Sequence, residues 1–436
     1  MPKSRTRLSL VEYGVPVDLS HTIADAIGVD RIKANSILAE AGSRAASSLQ
    51  LGYNPIVVDA KGARAIDFAG LIRLTPSLEL EVSPKFLGLD KLDAAWREDF
   101  FFLSTLSRHG RLLASEQLSA SAGTPRDLPT LVARSIVSMY ESRKRRPLRS
   151  YRRVREADFS IDGDLDPVDL IFPSSDGFEQ DLTRFDRQNA WNGDIFSAAK
   201  ELLPEVSDPS VASLLVRLIE DLSPQRATAN RRKPIPARHR AWVPLHDLAT
   251  DVLGGLGVNY KQGTSNAPGY LVKTWRIWED LLTVAARLGF GRNAVIPQRG
   301  YHLGYKTKID TGKLSKLSVY PDCVLESDGS RPKILLDAKY KGHVEKGKIR
   351  VSEADVYEAL AFSKATGCEL VALAYPALPN SEPRPVGECR IFEKVLVGTV
   401  HIVGLQIESR LISRPGALKV FSGNMAAGIT SAFLER

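Results

Sequence analysis

The 436-residue sequence predicts an α+β multidomain protein: a β-rich N-terminal domain, a helical middle, and a C-terminal α/β domain with a mixed central sheet. Three observations predict it. Leu78-Glu79-Leu80-Glu81-Val82, ending at Pro84, alternates with the period of a strand. Phe100, Phe101, Phe102, Leu103 and Leu106, and a second run from Leu131 to Tyr140, fall at helical spacing. Beyond the proline- and arginine-rich stretch Ser223 to Pro236, strand-like and helix-like patterns alternate. A chain of this length exceeds one ordinary core, so more than one domain is expected.

In order, residues 1–95 read as the β-rich domain, with Ile56-Val57-Val58 as a further strand and one short helix near Asp30 to Gly42. Residues 96–222 read as the helical middle. Helical patterning runs from Leu92 to about Glu141, Ser142 to Phe185 reads as a polar connector with some extended structure, and a helical pair covers Asn192 to Leu202 and Asp208 to Leu222. Asp208-Pro209 supplies an N-cap and first-turn proline for the second of these. Residues 223–239 read as a linker. Residues 240–436 form the C-terminal domain, with a helix from Lys273 to Leu288 stopped by Gly289 and strands near Tyr301, Leu317 to Leu325 and Lys333 to Lys341. A helix from Glu353 to Ala365 and a strand from Glu369 to Tyr375 follow.

Composition narrows the function classes. The content of 43% hydrophobic and 25% charged residues is that of a globular protein. No run of about eighteen apolar residues occurs, and MPKSRTRLSL lacks the apolar core of a signal peptide, so a cytoplasmic address without membrane contact is expected. Three cysteines and seven scattered histidines show neither disulfide nor zinc-site spacing. There is no phosphate-binding loop: Gly312-Lys313 is followed by Leu314 and lacks the upstream glycine. The formal charge of +8 favours a polyanionic partner. Arg143, Lys144, Arg145, Arg146, Arg149, Arg152, Arg153 and Arg155 are dense enough to grip several phosphates of double-stranded DNA. The alternative is a solvated helix end, since cations at a helix C-terminus suit its dipole whatever the partner.

Val319-Tyr320-Pro321-Asp322-Cys323-Val324-Leu325, a glycine-containing turn, and Lys333-Ile334-Leu335-Leu336-Asp337-Ala338-Lys339-Tyr340-Lys341 read as a β-hairpin. Alternation puts Asp337 and Lys339 on one face, and Asp322 on the neighbouring strand supplies a second carboxylate. A few hard oxygen ligands that leave room for water and phosphate suit Mg²⁺, with Mn²⁺ as the alternative. Such a site orients a water in line with a scissile phosphate, and Lys339 would stabilise the charge of the transition state. The tripeptide alone is weak: Asp59-Ala60-Lys61 has the same letters after Ile56-Val57-Val58. Only the later copy has a Pro-Asp pair upstream and a capped helix downstream, where Ser352 precedes Asp355. Trp275, Glu279, Leu282 and Ala286 share a helix face, making Glu279 a third candidate for metal or water positioning; the alternative is a salt bridge at the core edge. For Asp337 and Lys339 the alternative is a surface cross-strand ion pair.

With Pro321-Asp322 and Asp337-Ala338-Lys339 as its motif halves, the C-terminal domain resembles the PD-(D/E)xK nuclease superfamily and its restriction-endonuclease-like fold. The wider order resembles the McrC family: Pro84-Lys85-Phe86, then Phe185-Asp186-Arg187-Gln188-Asn189-Ala190-Trp191-Asn192, then Trp275 to Glu279 and the motif block. So does Ser352 to Phe362, where Glu358 stands at a position that is commonly Gln in that family. The resemblance implies the nuclease subunit of a modified-DNA restriction system, used in antiviral defence. In it the N-terminal part docks into an AAA+ GTPase ring, typically a hexamer, and stimulates it; dimerisation on DNA is a further expectation. Two other readings compete: an adaptor that activates the motor with its nuclease silent, and a self-sufficient repair nuclease.

Overall fold

The computed structural model describes residues 6–89, 96–109, 127–165, 167–172, 174–222, 234–254, 257–262, 265–326, 332–341, 343–345, 348–379 and 384–434. The chain is α+β and divides into two compact units: Ala120–Pro268, and Ser4–Ser119 with Gly269–Arg436. These divisions differ from boundaries at 95 and 223–239. The N-terminal strands and the C-terminal sheet fall in one unit, because the end of strand Ser265–Val272 pairs with the N-terminal sheet, Tyr270–Val272 against Leu71–Ala69. Residues 223–233 of the expected linker lie outside the described residues. No helix among the described residues is long and apolar enough to cross a membrane.

In this larger unit, Thr6–Val11 runs parallel to Leu78–Ser83, which pairs antiparallel with Ala69–Thr75. Leu78–Ser83 is buried along its whole length. Its alternation reads as half-exposed, but Glu79 and Glu81 are tolerated inside because each meets an arginine: Glu79 pairs with Arg73 at 2.6 Å, and Glu81 accepts two bonds from Arg97 at 2.7 and 2.6 Å. In place of one short helix there are two, Leu19–Ile27 and Arg31–Leu49. Asp18 and Asp30 cap them, accepting from the amides of His21 and Lys33. The first was not expected; the second begins where expected but runs on to Leu49, with a buried face made largely of alanine and glycine: Ala34, Leu38, Ala41, Gly42, Ala45 and Leu49.

The C-terminal sheet has six strands in the order Val295–Pro297, Cys323–Glu326, Pro332–Ala338, Leu370–Pro376, Val400–Ile407, Cys389–Val397. It is mixed, with Pro332–Ala338, Leu370–Pro376 and Val400–Ile407 mutually parallel and the outer pairings antiparallel. Helix Glu353–Thr366 links the first two parallel strands, and packs Ala359 and Phe362 against Leu335, Val371 and Leu373. The expected strand Leu317 to Leu325 is two strands. Leu314–Val319 pairs with Tyr301–Thr307 in a separate ribbon, and Cys323–Glu326 joins the main sheet. Pro321 lies at the break, where it has no N–H to give a ladder.

The smaller unit packs helices Leu128–Arg143, Ala190–Leu202, Pro209–Leu222 and Val243–Leu253 around Leu131, Ile136, Tyr140, Ile195 and Leu215. The segment read as a connector is mostly sheet: Ser150–Asp158 pairs antiparallel with Phe178–Asp186 over its whole length, and Asp164–Leu165 joins the far edge. With half its side chains exposed, that ribbon lacks the apolar alternation by which strands are recognised.

Candidate active site

The break at Pro321 sets Asp322 just ahead of its strand rather than on it. Its backbone carbonyl accepts from the amide of Gln298 at 2.9 Å, and its Oδ2 accepts from the amide of Ala338 at 2.7 Å. Asp337 is the penultimate residue of Pro332–Ala338 and is buried. One residue past that strand, Lys339 donates its amide to the carbonyl of Ala374 at 2.9 Å. Its side chain returns along the same face: Nζ lies 2.6 Å from Asp337 Oδ2 and 2.5 Å from Glu358 Oε2, with Asp355 Oδ1 at 3.7 Å. Helix Glu353–Thr366 delivers both of these acids. Ser352 caps it by accepting from the Asp355 amide, and Tyr375 donates to Asp355 Oδ2 at 2.8 Å.

Burial, and then the neighbouring Asp337, push the Asp322 carboxyl up to about 8, with Glu279 adding to the effect. Burial raises Asp337 as well, against the pull of Lys339, and its carboxyl hydrogen-bonds to that of Asp322. Ionisation of one of these carboxyls disfavours ionisation of the other. For Lys339 burial disfavours the charge, but Asp337 and Glu358 outweigh it and hold the ammonium above the ordinary lysine value. This lysine is a fixed positive charge.

Helix Thr274–Gly289 brings up Glu279. It is anchored to the sheet by Trp278, whose indole N–H donates to the carbonyl of Ala374 at 2.9 Å. Its buried face runs through Thr274, Ile277, Trp278, Leu281, Leu282, Ala285 and Ala286, while Trp275 is 41% exposed. Glu279 therefore flanks the core stripe instead of lying on it, and it accepts from the side chain of Gln298. Among the described residues no three acidic, histidine or cysteine side chains already form a metal cage. What converges is the pair Asp322 and Asp337, with Glu279 acting on it at longer range. Sequence reasoning missed Gln298, and it noted Asp355 only as the partner of the Ser352 cap and Glu358 only as the residue at a commonly Gln position of the resembling family, without bringing either to Lys339. The earlier Asp-Ala-Lys is a turn. Asp59 ends strand Ile56–Asp59, accepts from the Lys61 amide at 2.8 Å and pairs with Arg64 at 2.6 Å, on an exposed surface.

The family described as "McrBC 5-methylcytosine restriction system component" matches residues 63–376. The chain belongs to this family. Its likeness among solved structures is to McrC: one match, with TM-score 0.70 and 14% identity, covers 98% of this chain and 100% of a chain in a Thermococcus gammatolerans assembly of McrB AAA+ hexamers with bound McrC. A second, to the McrBC complex of the same organism, has TM-score 0.47 and 15% identity over 63% of this chain and 85% of that one. No curated protein matches the chain.

In this McrC-family chain the basic cluster is divided. Arg143 donates to the carbonyls of Met139 and Ala241, Lys144 pairs with Glu141, Arg152 with Asp186 at 3.0 Å and Arg155 with Glu179 at 2.9 Å. Arg145, Arg146, Arg149 and Arg153 are exposed. That leaves half the cluster for a polyanion.

Proposed function

We propose that this McrC-family chain is the Mg²⁺-dependent DNA endonuclease subunit of a McrBC-like restriction system, with a PD-(D/E)xK-type site made of Asp322, Asp337 and Lys339. The observation that carries this is a carboxyl pair held at the end of one hairpin, Asp322 on the Ala338 amide and Asp337 buried beside it, with a lysine ammonium 2.6 Å from an Asp337 oxygen. Such a pair suits a divalent cation, which takes hard oxygen donors and would remove the repulsion between the two acids. Asp322 and Asp337 would hold the ion, and Glu279 completes the donor set once it leaves Gln298. Mn²⁺ fits the same donors. The bound ion would lower the pKa of a water and offset charge on the phosphate.

The protein's own groups account for the remainder. Lys339 presents a permanent cation where negative charge grows in the transition state, and its acidic neighbours hold it in place. Glu358, at the family's Gln position, is one of these holders. Arg145, Arg146, Arg149 and Arg153 supply phosphate contacts that position duplex DNA without reading its sequence.

The chain works with an AAA+ GTPase ring and stimulates it; the Thermococcus gammatolerans assembly is described as McrB hexamers with bound McrC. A protein partner is further supported by exposed apolar side chains in the smaller unit, among them Phe159, Ile161, Val168, Ile171 and Phe172. The test is cleavage of 5-methylcytosine DNA by the chain with its AAA+ partner, nucleotide and Mg²⁺. Asp337→Ala abolishes cutting while partner binding and nucleotide hydrolysis persist. Undiminished cutting by that variant refutes the assignment.

A further inference from the structure

Around Tyr340, the residue after Lys339, lies a buried polar knot that the proposed chemistry does not use. Its centre is Glu12, fully buried just after strand Thr6–Val11. Glu12 accepts from the Thr274 hydroxyl at 2.5 Å, from the Tyr340 hydroxyl, and from the Lys85 amide at 3.5 Å. The Lys85 ammonium donates to the Tyr340 carbonyl and lies 4.2 Å from the centre of the Tyr340 ring. Next along the chain, Lys341 pairs with Asp67 at 3.1 Å, and Asp67 also accepts from the hydroxyls of Tyr13, at 2.5 Å, and Tyr53.

Three features separate the knot from ordinary packing. It is costly: burial pushes the Glu12 carboxyl up to about 7 and the Lys85 ammonium down to about 8, whereas apolar side chains of like volume would fill the space without that penalty. It includes two non-glycine residues in the left-handed region, Tyr13 at φ 55° and Asp67 at φ 60°, bonded to each other, and such strain persists where the surroundings enforce it. It also walls a cavity of about 610 Å³ bordered by Glu12, Tyr13, Lys85, Tyr340 and Lys341, so it does not serve to exclude space.

What it grips is specific. Tyr340 adjoins Lys339, and Thr274 is the first residue of the helix that carries Glu279. We propose that Glu12 is a positioning residue for the cleavage site: by accepting from Tyr340 and Thr274 together, it fixes Lys339 and the Glu279 helix relative to each other. The inference rests on the nuclease reading above. An ångström of misplacement is enough to cost up to about a hundredfold in rate, so a knot remote from the chemistry can set that rate.

The test uses the full chain with its AAA+ partner, nucleotide, Mg²⁺ and 5-methylcytosine DNA, with Asp337→Ala as control. Tyr340→Phe and Thr274→Val each remove one bond to Glu12 and leave the Glu12–Lys85 charges in place. Each lowers the single-turnover rate constant about ten- to a hundredfold. The half-saturating DNA concentration and the melting temperature stay near the parent's, and Thr274→Ser, which keeps the hydroxyl, restores the rate. Parental rates in both variants overturn the proposal, as does a Thr274→Ser variant as slow as Thr274→Val, or a rate loss that follows the loss of folded protein. Should Tyr340→Phe fail to fold, the near-isosteric threonine series decides. A control that still cuts overturns the nuclease reading itself, and the positioning role with it.

Discussion

Replacing Asp322 with Asn should stabilise the metal-free protein while abolishing cleavage. The Asp322 carboxyl is raised from 3.8 to about 8, chiefly by burial and then by Asp337. Between those values the folded state holds a proton that the unfolded chain has released, so stability falls as pH rises through the window and levels off above it. At about 1.4 kcal/mol per unit, a shift of roughly four units sets an upper bound of about 6 kcal/mol. Asp322 is only part-buried, and water and relaxation reduce the penalty, so a gain of about 2 kcal/mol is expected at pH 8.5. Asn does not titrate, and its side-chain oxygen still accepts the Ala338 amide that Asp322 accepts at 2.7 Å. The assay is urea denaturation of parent and Asp322→Asn at about pH 5 and pH 8.5 in EDTA, repeated with Mg²⁺. In EDTA the gain is small at the lower pH and full at the higher one. Mg²⁺ narrows or reverses it, because the ion stabilises the parent by mass action and the variant far less. A variant less stable than the parent at pH 8.5 in EDTA, or a gain of equal size at both pH values, refutes the reasoning.

Two further outcomes concern surfaces away from that pair. Changing Arg145, Arg149 and Arg153 together to Gln weakens DNA binding to a similar degree on all sequences and flattens its salt dependence by about 0.9 log units per lost phosphate contact, measured by titration at several salt concentrations. Asp59→Asn leaves cleavage at the parental rate in the reconstituted assay, because Asp59 closes a turn with Lys61 and Arg64.

Features legible in the sequence share one property: neighbouring residues encode them. The hairpin of Cys323–Glu326 and Pro332–Ala338, the Ser352 cap and the helix after it follow from alternation and capping, so Asp322, Asp337 and Lys339 could be brought together on paper. Pairings between distant segments were not legible. Thr6–Val11 lies parallel to Leu78–Ser83, and Glu12 reaches Tyr340 from the other end of the unit's sequence. The ion pairs within the basic cluster were not legible for the same reason. Asp186 and Glu179, which pair with Arg152 and Arg155, sit diagonally on the strand across, and the register that brings them together belongs to a ribbon without apolar patterning. Glu279 shows a third limit: the helix was right, but its buried stripe runs through Ile277 and Trp278 and not through Trp275, and that rotation moves the carboxylate from core to flank.

The exchange at Glu358 gains meaning from the geometry. A glutamine there would offer Lys339 a neutral oxygen; a glutamate at 2.5 Å adds to Asp337 at 2.6 Å and Asp355 at 3.7 Å, so one ammonium faces three acidic side chains. Removing the Lys339 proton would leave those acids facing one another without a cation, and for that reason the ammonium is held above its ordinary value. A lysine so placed does not serve as a general base near neutral pH, where a useful base must lose its proton readily. If the nuclease reading holds, its contribution would be electrostatic, and deprotonation of the attacking water would fall to the carboxylate side of the site. The excess of acid over base around Lys339 points the same way, since it would draw a divalent cation toward Asp322 and Asp337 more strongly than a site with a neutral amide in place of the Glu358 carboxylate.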